Sequence, residues 1–242
     1  MTMSVPRVLG HRGVPVRAPE NTLAGFAAAL AEGADGVELD VRCCATGELV
    51  VCHDATLARF TRGAVVRVAG TGAWALRQWD IGGGERVPLL AEVWPLMRGR
   101  TVNVEAKPDD GDIERLARSV AREVTGLAAR GVNIIVSSFE PKVLERLRAI
   151  APGVRRGLLL SDNPMEAADG AARARHVLPH AIHPHHEACT PERVRAWHGL
   201  GMAVYTWTVD APDDVRRVVS AGVDGLITNR ARETLALVRS RE

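Results

Sequence analysis

The sequence predicts a (β/α)8 TIM barrel that forms a single domain over residues 1–242. Three observations predict this fold: the chain length, the alternation of short apolar segments with longer amphipathic ones, and polar residues at the ends of the apolar segments. A chain of this length with 46% hydrophobic residues can bury one core of barrel size. A doubly wound open sheet is the alternative arrangement of the same alternating pattern.

Eight segments have the apolar, β-branched character of buried strands. In chain order they cover 7–10, 36–43, 101–107, 132–138, 154–160, 176–182, 202–209 and 225–228. Strands that alternate with helices form parallel sheets with right-handed crossovers, and eight such units close most simply into a barrel.

Seven segments between these strands have apolar residues three or four positions apart, together with helix start or stop signals. They cover 20–33, 112–131, 140–150, 163–174, 190–201, 210–222 and 230–240. Asn21 is the expected N-cap of the first helix, because a short polar side chain there can accept a bond from a free backbone N–H.

The regular spacing breaks once, between the second strand and the amphipathic segment 89–99. Residues 54–88 are too many for an ordinary strand-to-helix loop and too apolar for disorder. We therefore predict a small subdomain, inserted after the second strand at about residues 54–88, on the face of the barrel where the strands end.

Carboxylates occur on two neighbouring strands of the predicted barrel. Glu38 and Asp40 lie two residues apart in "VELDV", so their side chains share one face of the strand, and Glu105 follows in "VNVEA". Three carboxylates in one pocket repel each other and lose solvation unless a cation lies among them. Oxygen ligands favour a hard ion, so we predict one divalent cation, Ca²⁺ or Mg²⁺.

Basic side chains and histidines occur at the same strand ends. Arg12 follows the first strand, and Lys107 ends the third strand on the same face as Glu105. These two cations add more positive charge than three carboxylates and a metal ion require. This excess suits a bound phosphate. His11 and His53 would then provide an acid and a base for phosphoester chemistry.

Seven motifs follow one another along the chain: "HRG" with "PENT", "GADGVELDV", "GELVVCHDATLAR", "VPLLAEV", "VNVEAK", "VYTWTV" and "VDGLITN". In this order, and over most of the chain, they resemble the glycerophosphodiester phosphodiesterase family. The resemblance implies a barrel with a small insertion, a single divalent metal, and hydrolysis of a glycerophosphodiester to glycerol 3-phosphate and an alcohol. It also implies roles for seven side chains: His11 and His53 as the catalytic pair, Glu38, Asp40 and Glu105 as metal ligands, and Arg12 and Lys107 as phosphate ligands.

Aromatic residues at the end of the seventh strand and in the predicted insertion are candidates for contact with the substrate. The family pattern places an aromatic side chain against the substrate at the end of the seventh strand, where this chain has Trp207, although core packing is the alternative. Phe60, Trp74 and Trp79 of the predicted insertion could accept an acyl chain, so lysophospholipase D activity on lipid diesters is a second hypothesis. A non-catalytic phosphodiester-binding relative is a third, but none of the catalytic or ligand residues is missing.

Charge and the remaining motifs suggest no other partner. The net charge of +2 is small and dispersed, which argues against nucleic acid. The sequence lacks a leader-like or membrane-spanning apolar segment, so we expect a cytoplasmic protein without stable membrane association that binds a small-molecule glycerophosphodiester.

The run "HAIHPHHEAC", which holds His180, His183, His185, His186 and Cys189, could form a zinc site, but pocket-wall or solvated histidines are the preferred interpretation. Thr228 and Asn229 are expected to support the site or to cap a helix.

Overall fold

The computed structural model describes residues 5–61, 63–109 and 112–240 and shows the predicted barrel. Eight parallel strands form a closed ring with helices between them. The closed ring confirms the barrel and excludes the open sheet.

The strands and helices follow one another in the expected order. The strands are β1 (Arg7–His11), β2 (Gly36–Cys43), β3 (Leu49–Val51), β4 (Thr101–Ala106), β5 (Asn133–Ser138), β6 (Arg156–Leu159), β7 (Ala181–His183), β8 (Ala203–Thr206) and β9 (Gly225–Thr228). The helices are α1 (Leu23–Ala31), α2 (Ala73–Leu76), α3 (Leu90–Val93), α4 (Ile113–Val124), α5 (Pro141–Ile150), α6 (Pro164–Val177), α7 (Pro191–Gly199), α8 (Pro212–Ala221) and α9 (Ala231–Arg239). Strand β3 is the one element outside the eight-strand prediction.

Strand β1 closes the barrel, because it pairs in parallel with both β2 and β9. Around the rest of the ring each strand pairs with the next, and β2 pairs with β4 in a register that sets Asp40 opposite Glu105. Strand β3 runs antiparallel to the end of β2, with Val51 opposite Val41. It therefore extends β2 beyond the ring rather than contributing to it.

The alternation along β2 separates the barrel interior from the helix layer. Val37, Leu39 and Val41 are fully buried in the cluster between the strands and helices. The side chains between them, Glu38 and Asp40, therefore point into the barrel, as the sequence pattern predicts. Polar groups at the end of this strand thus face a central cavity while its apolar face anchors the helices.

The first helix begins with a different cap from the predicted one. The side chain of Thr22, not of Asn21, accepts the hydrogen bond from the Gly25 N–H. Asn21 has a φ of 57° and directs its amide toward Asp40. The cap prediction is wrong because a tertiary hydrogen bond inside the barrel determines the orientation of Asn21.

The predicted strand 176–182 begins too early. Helix α6 continues through Val177 and ends at Leu178, whose left-handed backbone closes the last turn. Strand β7 starts only at Ala181 and has three residues. His176 and Val177 therefore belong to the helix. A short apolar run of this kind fits a helix end or a strand start equally well, so its sequence alone does not distinguish the two.

Residues between β3 and α3 pack with Cys44 and Val50 around an apolar cluster that is separate from the barrel core. The cluster is formed by Cys44, Val50, Cys52, Leu57, Val68, Ala73, Leu76, Ile81 and Val87. The loop Gly82–Gly83 of this segment lies against Pro19, which precedes α1. The segment thus reaches the end of the barrel at which β1 and β2 finish. No helix among the described residues is long and apolar enough to cross a membrane.

Glycine is required where rings fill the barrel interior. A Cβ on Gly225 would lie 2.3 Å from Cδ1 of Tyr205, a buried ring on the neighbouring strand. We expect Gly225→Ala to lower the free energy of unfolding by roughly 1–3 kcal/mol, because the ring has no free space to move into. Urea unfolding checks this, with Gly153→Ala as the control because nothing lies within 4 Å of that site. Equal unfolding midpoints for the two variants would contradict the packing argument.

Candidate active site

A cavity of about 250 Å³ opens at the end of the barrel where the strands finish. In a barrel of this type the strand ends and the loops after them form the active site. The cavity is lined by His11, Arg12, Glu38, His53, Asn103, Glu105, Lys107, Phe139, Leu159, Trp207, Thr208 and Ile227. Charged groups lie on the side of β1, β2 and β4, and apolar side chains form much of the opposite wall.

Three carboxylates meet beside this cavity. Glu38 and Asp40 come from β2 and Glu105 from β4, and one oxygen of each lies within 4.8 Å of the others. Their exposed fractions are 3%, 1% and 9%, so water solvates them poorly. The register between β2 and β4 produces this cluster, because it sets Asp40 directly beside Glu105.

Burial and mutual repulsion act on the protonation of the cluster. Burial raises the pKa of Glu38 well above its ordinary value, and the charges of Asp40 and Glu105 raise it further. Burial also raises the pKa of Glu105, again with Asp40 adding to the effect. Burial favours the neutral form of Asp40 as well, but Lys107 and Arg12 outweigh this and hold its pKa below the ordinary value.

The donor set fits a hard divalent cation. Three carboxylates supply oxygen atoms only, which suits Ca²⁺ or Mg²⁺ better than zinc. The buried oxygen Oδ1 of Asp40 accepts no hydrogen bond among the described residues and has the Lys107 ammonium at 3.3 Å as an ion-pair contact, so it keeps a lone pair for a cation. A cation there would also remove the repulsion that raises the pKa of Glu38. The residues therefore fit a metal ion.

Two basic side chains border the carboxylates. The Lys107 ammonium bonds Glu105 and lies 3.3 Å from Asp40. The Arg12 guanidinium lies 3.1 Å from Asp40 and 3.2 Å from Glu20. Both cations are partly exposed to the cavity, so they can bind an anion while they compensate buried negative charge.

The backbone at Arg12 has a strained conformation that hydrogen bonds hold in place. Arg12 has a φ of 52°, a region that costs a non-glycine residue about 1–2 kcal/mol. Its N–H donates to Oε2 of Glu38 at 3.0 Å, and its carbonyl accepts from the Asn21 N–H at 2.9 Å. These bonds hold the turn after β1 in a conformation that the isolated chain disfavours.

Asn21 connects the loop before α1 to the carboxylate cluster. Its amide nitrogen donates to Oδ2 of Asp40 at 2.8 Å, and its amide oxygen accepts from the Asp40 N–H at 3.2 Å. The paired bonds fix Asp40 in one orientation. Because the φ of Asn21 is also positive, asparagine suits this position better than most residues.

His11 is oriented through a chain of three side chains. Its Nδ1 lies 2.8 Å from Oδ1 of Asn229. The Asn229 amide donates to Asp210 at 2.6 Å, and the Asn229 N–H donates to the same carboxylate at 2.8 Å. Asp210 thereby turns the amide so that its oxygen faces His11, and Nδ1 of His11 must carry a proton to make this bond. Burial lowers the pKa of His11, and the charge of Arg12 lowers it further.

His53 has a carboxylate as its partner. Its Nδ1 lies 2.7 Å from Oδ1 of Asp54, and the second oxygen of Asp54 accepts from Arg59 at 2.5 Å. Burial lowers the pKa of His53, while the charges of Asp40 and Asp54 oppose this shift. The two histidines thus differ in their partners, one a neutral amide and the other an anion.

The structure brings together all eight predicted site residues. His11, His53, Glu38, Glu105, Arg12, Lys107 and Trp207 line the cavity, and Asp40 lies beside it. Asn229 bonds His11, as expected of a residue that supports the site. The sequence pattern does not predict the contacts of Asp210, Arg59 and Glu20 with the site. The position of Asp210 soon after β8 is the one signal that could have indicated it, because polar residues at that end of a barrel strand point to the site.

Trp207 forms part of the apolar wall. Its ring contacts Phe139 edge to face at 5.6 Å and His185 at 5.3 Å, and its indole N–H donates to the carbonyl of His183 at 3.0 Å. The indole is therefore fixed in one orientation against the cavity. Phe60, Trp74 and Trp79 are not among the cavity-lining residues, and Trp74 is 77% exposed. The acyl path suggested for these three side chains thus lacks support from the cavity.

The histidine run forms no metal cluster. In the described part of the chain, the acidic triad is the only group of three potential ligands whose atoms converge. His183 is fully buried inside the barrel and stacks on Tyr205 at 5.4 Å, and burial lowers its pKa to about 3. His186 lies 3.6 Å from Asp214 at the surface. The position of His186 fits the solvated interpretation, whereas His183 is a core residue that neither interpretation of the run predicts.

Comparison with known proteins gives a consistent result. Residues 11–233 match the model of the Glycerophosphoryl diester phosphodiesterase family. A glycerophosphodiester phosphodiesterase of Caldanaerobacter subterraneus subsp. tengcongensis is 34% identical over 245 residues, 96% of this chain and 97% of the relative. The structure of a glycerophosphodiester phosphodiesterase from Agrobacterium tumefaciens has a TM-score of 0.78 at 28% identity, covering 96% of this chain and 99% of its own. A phosphodiesterase from Oleispira antarctica in complex with the product sn-glycerol-3-phosphate has a TM-score of 0.88 at 24% identity, over 97% of both chains, and shows the same fold.

The raised pKa of Glu38 predicts a pH dependence of stability in EDTA. Above its ordinary pKa of 4.5, Glu38 keeps its proton in the folded protein but loses it in the unfolded chain. Unfolding therefore releases a proton, and the free energy of unfolding falls as pH rises toward the folded-state pKa. We expect Glu38→Gln to remove this decline and to become more stable than the wild type at pH 8.

Urea unfolding of both proteins between pH 5 and pH 9 measures the difference, which isolates Glu38 because the histidines are present in both. The control is Glu114→Gln, an exposed glutamate on α4. Parallel pH curves for the wild type and Glu38→Gln would contradict the prediction.

Proposed function

Because this chain belongs to the glycerophosphoryl diester phosphodiesterase family and is a phosphoric diester hydrolase, we propose that His11 and His53 are the acid–base pair of its reaction. The reaction is the hydrolysis of a glycerophosphodiester to glycerol 3-phosphate and an alcohol. One observation carries the residue assignment: two histidines with different partners, two cations and two buried carboxylates line the same small cavity.

Glu38, Asp40 and Glu105 would hold one divalent cation, Ca²⁺ or Mg²⁺. When bound, such an ion supplies Lewis-acid polarisation of a phosphoryl oxygen. The tight spacing of the three carboxylates and the pKa shift of Glu38 support this assignment. The flexible side chains of the two glutamates suit the variable geometry of calcium, so Ca²⁺ is our first choice.

Arg12 and Lys107 would bind the phosphate of the diester. Arg12 can present a planar fork to two oxygens, whereas Lys107 acts as a point charge on the other side of the carboxylates. Both remain charged at neutral pH because the carboxylates beside them raise their pKa more than burial lowers it. Their role is to orient the phosphorus and to neutralise charge that develops on its oxygens.

His11 would act as the general base. Its Nδ1 proton is held by Asn229, so in the neutral ring Nε2 has a free electron pair. Burial and the nearby Arg12 favour this neutral form. Nε2 would take the proton from the attacking hydroxyl as the new O–P bond forms, the attacking group being the 2-hydroxyl of glycerol or a water molecule. If the glycerol hydroxyl attacks, water opens the cyclic phosphate in a second step.

His53 would act as the general acid. The Asp54 carboxylate at its Nδ1 stabilises the imidazolium, and the ring is more exposed than that of His11. Nε2–H would give its proton to the leaving alkoxide as the second O–P bond breaks. The neutral amide at His11 and the anion at His53 thus separate the roles of two rings that the sequence alone does not distinguish.

Small glycerophosphodiesters are the substrates that the cavity favours. A volume of about 250 Å³ suits a phosphate with a glycerol and a compact alcohol better than a long acyl chain. Trp207 and Phe139 would contact the apolar face of the bound glycerol or alcohol. We also propose that residues 54–88 are a small inserted subdomain that borders the entrance, supported by the apolar cluster that they form with Cys44, Val50 and Cys52.

The two histidines should both be essential. We expect His11→Ala and His53→Ala each to lower kcat by about 10²–10⁴-fold, because each removes one proton-transfer step. Glycerol 3-phosphate release from glycerophosphocholine, glycerophosphoethanolamine and one lysophospholipid measures activity, with EDTA-treated protein to which Ca²⁺ or Mg²⁺ is returned. His198→Ala is the matched control, since His198 also bonds a carboxylate, Asp224 at 2.8 Å, but lies outside the cavity lining.

Normal turnover in either cavity variant would refute the pairing. Release from the lysophospholipid at a rate equal to the small diesters would favour the lipid substrate.

The different partners of the histidines predict a specific pH effect. Asp54→Asn removes the anion beside His53 and should lower the pKa of that ring further, because the imidazolium loses its hydrogen-bonded carboxylate. The high-pH limb of kcat against pH, which reports loss of the acid's proton, is expected to move toward lower pH. Asn229→Ala should lower kcat without moving that limb. A shift of the low-pH limb in Asp54→Asn would instead assign His53 as the base and reverse the two roles.

A further inference from the structure

Arg59 contacts both halves of the site without entering the cavity. Its Nε donates to Oδ2 of Asp54 at 2.5 Å, and its Nη2 donates to Oε1 of Glu20 at 2.7 Å. Asp54 holds His53, and Glu20 holds Arg12 at 3.2 Å. The Arg59 guanidinium thus connects Asp54, the partner of His53, with Glu20, the partner of Arg12.

The geometry points to Arg59 as a positioning residue that couples the proton-transfer half of the site, His53 with Asp54, to the phosphate-binding half, Arg12 with Glu20. The inference rests on the proposed function. It assigns no contact with substrate to Arg59, because the side chain lies behind the two carboxylates and outside the cavity lining.

Each arm of the guanidinium restrains one carboxylate. Oδ1 of Asp54 faces His53 because Arg59 occupies Oδ2, so the carboxylate cannot rotate without breaking an ion pair. Oε1 of Glu20 accepts from Arg12 and from Arg59, which places that oxygen between two cations. The planar fork of arginine can satisfy both directions at once, whereas a lysine ammonium is a single point charge.

The location of Arg59 argues against a role in stability alone. The side chain is about half exposed, with a fraction of 48%, and exposed ion pairs contribute little to folding. Its guanidinium lies 5.1 Å from the centre of the Phe60 ring, which limits its mobility on the segment 54–88. The inserted segment therefore contributes an anchored cation at the border of the site, and its packing becomes linked to the alignment of His53.

The electrostatics agree with a tight quartet. Hydrogen bonding by Glu20 raises the pKa of Arg59, and bonding by Arg59 and Arg12 lowers the pKa of Glu20 against the effect of burial. Positive and negative charges alternate through Asp54, Arg59, Glu20 and Arg12. Removal of Arg59 leaves two carboxylates at the border of the site without the cation that they share.

A double-mutant cycle tests the coupling directly. Asp54→Asn acts on proton transfer and should lower kcat, whereas Glu20→Gln acts on Arg12 and should mainly raise KM for glycerophosphocholine. Because both carboxylates bond Arg59, we expect the effects of the two changes on kcat/KM to be non-additive by about threefold or more. In an Arg59→Met background the same two changes should become additive.

Single variants complete the test. Arg59→Met should lower kcat/KM by about 10- to 100-fold, the range for groups that orient a functional side chain. It should also move the high-pH limb of kcat toward higher pH, because Asp54 without its cation stabilises the imidazolium of His53 more strongly. Arg59→Lys should restore part of the activity, since lysine can bond one carboxylate at a time. Arg77→Met is the matched control, because Arg77 lies on the same segment and pairs with Glu92 at 2.6 Å without touching the site.

The outcomes separate the inference from the proposed function. Wild-type protein that releases no glycerol 3-phosphate refutes the proposed function. If the wild type is active but the effects of Asp54→Asn and Glu20→Gln are additive while Arg59 is present, the coupling alone is refuted. Arg59→Met could also lose activity together with melting temperature while the high-pH limb of kcat does not move. That result identifies a structural role for Arg59 and also overturns the inference.

Discussion

The burial of three carboxylates within 4.8 Å of one another is the constraint on which the site depends. Such a cluster is unfavourable unless cations lie against it, because burial removes solvation and like charges repel. Lys107 and Arg12 compensate two of its members, and the raised pKa of Glu38 shows that compensation by these side chains is incomplete. The remaining negative potential suits this cluster to a metal ion, as the proposed function requires.

Ion pairs carry this constraint from the barrel into the inserted segment. The chain of contacts runs from Glu105 to Lys107, Asp40, Arg12, Glu20, Arg59, Asp54 and His53. Charges alternate from Glu105 to Asp54, so each ion between these two has two neighbours of opposite sign. The positive φ of Arg12 and of Asn21 shows that the backbone is bent to fit this network, a strain that the hydrogen bonds to Glu38 and Asp40 offset.

The two histidines have different partners. Asn229, which Asp210 orients, bonds Nδ1 of His11 from a distant part of the sequence, whereas Asp54 bonds Nδ1 of His53 from the next position along the chain. Burial lowers the pKa of both rings, and the hydrogen bond from each partner opposes this shift. A division of acid and base between the two rings, as proposed, would rest on the second partner of each ring.

The amino-acid sequence is sufficient to predict the barrel, because periodic apolar strands alternate with helices along the chain. It also indicates the charged side chains of the site, since residues two apart on a strand must share a face, as Glu38 and Asp40 do. The partners of these side chains depend on the tertiary structure. The pairings of His11 with Asn229, of Asn21 with Asp40 and of Arg59 with Glu20 join residues that are 218, 19 and 39 positions apart. No local pattern encodes such contacts, because they depend on strand register and loop packing that exist only once the barrel has closed.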